Sequence, residues 1–197
     1  MKETVIVDSG GANLASLIYA LERLGDRPHV SGHARTIAGA ARVVLPGVGA
    51  ATHAMKRLQS LKLATVLRAL RQPVLGICLG MQLLFESSEE GDTSCLGLLP
   101  HPVQRLPVAP GRPVPHMGWN ELKPLRADPL MDGVRDGDYA YFVHSYAASV
   151  NEFTLASTEY GTPLSAVVRH KNFWGTQFHP ERSSATGARV LENFLRL

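Results

Sequence analysis

Val74-Leu75-Gly76-Ile77-Cys78-Leu79-Gly80-Met81-Gln82-Leu83-Leu84-Phe85-Glu86 decides how this chain folds. Val74–Ile77 is a short apolar run of strand character. It passes straight into a stretch from Leu79 to about Phe85 that reads as a helix. Gly76-Ile77-Cys78-Leu79-Gly80 between them has the Gly-x-nucleophile-x-Gly form of a nucleophile elbow, with Cys where hydrolases often carry Ser. Such a turn is tight and strained, and side chains on the flanking residues would clash. It also sets the thiol at a helix N-terminus, whose partial positive charge favours thiolate. An isolated Cys is more often a buried, inert thiol. The strand before, the helix after and the Gly on each side turn the reading of Cys78 toward a nucleophile.

Working outward, strands alternate with helices. Thr4–Asp8 is a β-branched run, and Asn13 to Leu24 places Leu14, Leu17, Ile18, Leu21 and Leu24 at helical spacing before Gly25. Pro28–Val30 offers a second strand and Arg42–Leu45 a third, closed by Pro46-Gly47-Val48-Gly49. One long amphipathic helix is expected from about His53 to Leu70. This rhythm predicts an α/β fold, with a mainly parallel central sheet and helices on both faces. After Gly91 the rhythm changes. Pro107–Pro115 holds four prolines and a glycine and reads as irregular. The runs Met117–Leu122, Tyr139–Tyr146, Phe153–Thr158, Leu164–Arg169 and Phe173–Phe178 predict a partly antiparallel extension. A helix over roughly Ser184–Leu197 closes the chain.

Composition narrows the function. With 197 residues, 45% hydrophobic and 19% charged, the chain is expected to form one soluble globular domain over residues 1–197. No apolar run approaches the ~18–20 residues of a membrane span. The start of the chain lacks the form of a secretory signal. A net charge of +3, with basic residues scattered and no basic run interleaved with aromatics, gives nucleic-acid binding no support. Two cysteines, Cys78 and Cys95, argue against a disulfide framework and fit a cytoplasmic protein with a reactive thiol. No His or Cys pair has metal-ligand spacing, so no metal is expected.

A nucleophile needs a base and an orienting group. Gln177-Phe178-His179-Pro180-Glu181 offers both. In extended backbone His179 and Glu181 share a face, with Glu181 placed to steady the imidazole. Taken alone, this would be an ordinary strand end. Oxyanion donors are also needed. The Leu79 amide follows the nucleophile, and Pro46–Gly49 lies after a predicted parallel strand, at the sheet edge where sites in open α/β folds form. By itself that segment reads rather as an ordinary turn. Cys95 has no elbow and reads as non-catalytic. His144 reads as hydrogen-bonded structure.

Together these motifs, with Pro115-His116-Met117-Gly118-Trp119-Asn120 and Tyr141-Phe142-Val143-His144-Ser145-Tyr146, resemble the class I (triad-type) glutamine amidotransferases. Within that family they are most similar to the glutaminase subunits of imidazole glycerol phosphate synthase. The resemblance implies a single-domain, flavodoxin-like fold. It implies a Cys78 nucleophile, His179 as acid/base and Glu181 as its orienter. Val48 and Leu79 then match the oxyanion positions. Gln82 and the backbones of Gly49, Ser145 and Tyr146 match the contacts to substrate L-glutamine. No cofactor is implied. The implied partner is a TIM-barrel cyclase subunit in a heterodimer, which takes the released ammonia into histidine biosynthesis. Asn13, Trp119 and Arg182 match positions at the partner face or beside the triad. Ser9, Ala12 and Arg182 depart from the residues usual there (Tyr, Gly and Lys). Arg in place of Lys changes the geometry of any inter-subunit ion pair.

Overall fold

The computed structural model describes residues 3–9 and 14–197. Among these, eight strands form one sheet in the order His29–Ser31, Thr4–Val7, Arg42–Leu45, Val74–Ile77, Phe173–Thr176, Pro163–His170, Thr154–Glu159, Lys123–Pro124. The first five run parallel and the last three continue antiparallel. The four inner parallel strands are buried on both faces, which is why they read as largely apolar runs, whereas the edge strand His29–Ser31 leaves His29 and Val30 exposed. Alternate residues feed opposite cores. Val5, Val7, Val43, Leu45 and Val74 pack with Leu58, Leu63 and Leu67, while Ile6, Val44, Leu75 and Ile77 pack with Leu17, Leu21, Leu191 and Phe194. The helices Ala51–Ser60 and Leu63–Ala69 thus cover one face, and Ala15–Arg23 and Ser184–Arg196 the other. The expected α/β architecture with an antiparallel extension is what forms.

Two expected helices differ. The long helix over His53–Leu70 is two helices, Ala51–Ser60 and Leu63–Ala69, broken at Lys62 with φ +56°. An unbroken helix turns about 100° per residue, so Leu63 and Leu67 would point roughly 140° and 180° away from Leu58. The break lets all three bury in one core, each at most 1% exposed. The helix after Cys78 covers only Leu79–Gln82, because Phe85 already begins the strand Phe85–Ser88. Leu83, Leu84 and Phe85 are all buried, leaving no polar face for a continuing helix. The Leu83 carbonyl accepts from the Leu96 amide, and the Leu84 carbonyl from those of Leu98 and Leu99.

Phe85–Ser88 joins Thr93–Ser94, Leu99–Arg105 and Tyr146–Ala147 in a four-stranded sheet. Sequence patterning missed these short pieces, and Pro100 and Pro102 disguise Leu99–Arg105. It also missed the helix Ala34–Gly39. The run expected over Tyr139–Tyr146 divides at Ser145. Tyr139–His144 pairs antiparallel with His116–Glu121, and Tyr146–Ala147 pairs with Leu99–Arg105. That division opens the chain toward the elbow.

Candidate active site

The elbow is built by close backbone approach. Cys78 sits at φ 53°, ψ −111°, between a strand and a helix, and its amide donates to the Thr176 carbonyl at 2.7 Å. A Cβ on Gly76 would lie 2.6 Å from the Gly80 oxygen, and one on Gly80 would lie 1.8 Å from the Leu45 oxygen. A Cβ on Gly47 would lie 2.7 Å from the Gly80 nitrogen. Only glycine fits these positions, so the ends of Arg42–Leu45 and Val74–Ile77 lock together and carry Val48 and Gly49 to the thiol. The Ser9 hydroxyl donates to the Pro46 carbonyl at 2.9 Å and ties this segment to the first strand.

His179 arrives from far along the chain. Phe173–Thr176 lies parallel beside Val74–Ile77 with Thr176 opposite Ile77, so the following residues emerge next to Cys78. His179 and Glu181 do not share an extended strand. The strand ends at Thr176, and Pro180–Arg182 forms a 3₁₀ turn with Pro at its first position. The turn still brings Nδ1 of His179 to 2.9 Å from Oε1 of Glu181. That bond fixes the proton on Nδ1 and leaves Nε2 for Cys78. Burial works against a charged His179, but hydrogen bonds to Cys78 and Glu181, with their negative charges, outweigh it and push the imidazole pKa up to about 10. The Cys78 sulfur also approaches the Val143 carbonyl at 3.8 Å and the Gln177 amide at 3.9 Å.

A cavity of about 420 Å³ opens at Cys78 and His179. Val48, Gly49, Leu79, Gln82, Ser145 and Tyr146, all singled out from sequence, line it. Glu181 stands behind His179. Gln82 turns out to be directed inward. Its Nε2 donates to the Tyr146 carbonyl at 2.7 Å and to Oε1 of Gln177 at 3.0 Å, which uses both amide protons and leaves only its oxygen for a ligand. Sequence reasoning missed Glu90, the acidic residue of the cavity wall, whose Oε2 accepts from the Ala51 amide at 2.7 Å. It missed the role of Gln177 as well. Neither carries a local signal, since both reach the site through sheet pairing.

Trp119 and Arg182 lie outside the cavity, and both contact Tyr141. Trp119 meets that ring edge-on at 5.9 Å, and the Arg182 guanidinium lies 4.9 Å from its centroid. Asn13 lies outside the described residues, as does Ala12. Cys95 is buried and does not line the cavity. Burial and the nearby Glu90 charge push its thiol up to about 11, which suits an inert role. A wider groove of about 840 Å³ runs along Pro124–Val134. Of its two acids, Asp128 and Asp132, the first is already bonded to Arg169 and Trp174, and the groove contains no Cys or Ser. Among the described residues no group of His, Cys, Asp and Glu could hold a metal, and no helix is long and apolar enough to cross a membrane.

The geometry combines a cysteine on an elbow, a histidine held by a carboxylate, and main-chain amides beside both. Such a site can form and hydrolyse a thioester. Comparison with known proteins agrees in kind. The family described as "Glutamine amidotransferase class-I" matches residues 5–197. The chain is 55% identical over 197 residues to the "Imidazole glycerol phosphate synthase subunit HisH" of Xylella fastidiosa (strain Temecula1 / ATCC 700964), covering 100% of this chain and 98% of that one. It is 54% identical, with the same coverage, to the protein of that name from Xanthomonas euvesicatoria pv. vesicatoria (strain 85-10). Its fold is similar to solved structures of a glutamine amidotransferase and of PurLQS from Thermotoga maritima. For the first the TM-score is 0.75 at 22% identity, covering 98% of this chain and 97% of that one. For the second it is 0.74 at 20% identity, covering 100% and 99%. On the family match and the full-length relatives together, the chain belongs to the class I glutamine amidotransferases.

Proposed function

We propose that this chain is the glutaminase subunit of imidazole glycerol phosphate synthase, acting as one unit over residues 1–197. The observation that carries the reading is the convergence of Cys78, His179 and Glu90 on one cavity. Glu90 supplies a carboxylate for the substrate ammonium, and the main chain at Gly49, Ser145 and Tyr146 receives the rest of its amino-acid end. The Cys78 thiolate attacks the side-chain amide carbon. The charge that develops on the amide oxygen is met by the Val48 and Leu79 amides. His179 gives its Nε2 proton to the leaving nitrogen, so ammonia departs and a thioester remains. Water then attacks, His179 takes its proton, and glutamate leaves with the thiolate restored. Glu181 holds the ring in the required tautomer throughout. No step calls for a cofactor.

The ammonia passes to a TIM-barrel cyclase subunit in a heterodimer, which forms imidazole glycerol phosphate and aminoimidazole carboxamide ribotide in the cytoplasm. Support for a partner face comes from Trp119 and Met117, 53% and 63% exposed on the strand His116–Glu121, together with Tyr139 on its neighbour. Large apolar side chains left in water beside an active site are what an interface covers. The test is glutamate release by wild type and Cys78→Ala, each with and without the cyclase subunit. Wild type with the partner should turn over glutamine, and Cys78→Ala should lose at least about 10³-fold of that rate. No glutamate under any pairing would overturn the reading.

A further inference from the structure

His116 and His144 are buried beside the cavity, yet the chemistry proposed above uses neither. They face each other across the antiparallel pair of His116–Glu121 and Tyr139–His144. His116 Nδ1 lies 3.0 Å from His144 Nε2, and His144 Nδ1 lies 2.9 Å from the Tyr146 carbonyl oxygen. At the far end, Asn120 Nδ2 lies 3.2 Å from His116 Nε2 and donates to the Glu159 carbonyl at 2.9 Å. Asn120 Oδ1 accepts from the Glu121 amide at 2.8 Å, which fixes the orientation of the Asn120 amide. The His116 ring is clamped between Phe142 and Tyr160, with centroids at 4.9 and 4.0 Å.

These contacts permit one proton arrangement. A carbonyl can only accept, so His144 carries its proton on Nδ1. In the neutral ring Nε2 is then an acceptor, so His116 donates to it from its own Nδ1. His116 Nε2 in turn accepts from the Asn120 amide. Every bond runs in the same direction and ends on the Tyr146 carbonyl, which receives a second donor from Gln82. Gln82 also bonds Gln177, and Gln177 reaches the Cys78 sulfur.

We propose that Asn120, His116 and His144 form a one-directional hydrogen-bond relay that positions the main chain at Ser145–Tyr146, and through it Gln82, before glutamine binds. His116 and His144 are thus positioning residues. Both must be neutral, since an added proton on either Nε2 would face another donor. Burial favours this, lowering the His116 pKa to about 4. Burial and the nearby His116 lower that of His144 to about 3, with His179 adding a smaller push the same way and the bond to Tyr146 opposing. The functional meaning of the relay rests on the glutaminase reading, but its proton arrangement does not.

The first measurement is ¹⁵N NMR of the histidines in the full wild-type chain. Both rings should hold the proton on Nδ1 and stay neutral around pH 7. An Nε2–H tautomer in either ring, or titration near the ordinary ~6.5, overturns the relay. The second measurement is glutamine kinetics in complex with the cyclase subunit. His144→Leu keeps bulk and removes the donor, and should raise the glutamine KM about tenfold, with a smaller change in kcat. His144→Asn restores an N–H near the Nδ1 position and should return KM to within about threefold of wild type. A wild-type KM in His144→Leu, or equal losses in both variants, overturns the proposal. An inactive wild type whose rings both carry Nδ1–H would remove the glutaminase reading and leave the relay standing.

Discussion

Cys78 and His179 define each other. Burial opposes a charged imidazole, but hydrogen bonds to Cys78 and Glu181 and their charges outweigh it and push the His179 pKa up to about 10. In Cys78→Ala one of these supports is gone, so the His179 titration should move down from about 10, read from its ring resonances by NMR. Unchanged titration would mean that Glu181 alone sets the value. The sign for stability follows from linkage. A pKa raised in the folded state stabilises fully below the unfolded value of ~6.5, and that contribution is lost as pH rises through about 10. Unfolding free energy at high pH should therefore fall less steeply in Cys78→Ala than in wild type, as urea titrations would show. At this scale the sequence was legible where chemistry is local. Cys78 lies between its glycines, and His179 and Glu181 lie two residues apart. Glu90, Gln177 and Tyr141 carry no such local mark.

Among the elements, the strand-to-helix turn is the least tolerant part. Gly80→Ala would drive a Cβ to 1.8 Å from the Leu45 carbonyl, in backbone with no room to yield. We expect at least ~3 kcal/mol of lost stability, visible in thermal or denaturant unfolding, with glutaminase activity falling alongside. Gly39 is the contrast. It ends the helix Ala34–Gly39, and a Cβ there meets nothing within 4 Å. Gly39→Ala should be neutral or stabilising by up to ~1 kcal/mol. Element type was readable wherever apolar spacing lasted, as in Ala15–Arg23, Arg42–Leu45 and Ser184–Arg196. It failed where tertiary burial overrode periodicity. The break at Lys62 exists so that Leu58, Leu63 and Leu67 share one core, and the helix after Cys78 stops because the carbonyls of Leu83 and Leu84 find partners in Leu96, Leu98 and Leu99.

Across the whole molecule, the face with Trp119, Met117 and Tyr139 is linked through Tyr141 to Arg182 and to the His179 main chain. Trp119→Ala should weaken binding of the cyclase subunit by ~2 kcal/mol, about thirtyfold in Kd by calorimetry, since half-exposed aromatics at an interface are common hot spots. Its circular dichroism should match wild type because the side chain is 53% exposed. The sequence by itself determined the α/β class and singled out Cys78, His179 and Glu181 as the groups to look for, because strand periodicity, glycine at a tight turn and paired functional groups are local properties. Tertiary structure alone decided that Phe173–Thr176 pairs in parallel with Val74–Ile77, and so that residues about a hundred positions apart meet at one sulfur. It also decided that Ser145 divides two sheets to open the cavity wall, and that His116, His144 and Tyr146 join in one hydrogen-bond chain. Strand order and hydrogen-bond direction depend on which surfaces bury each other, and no local pattern in the chain encodes that choice.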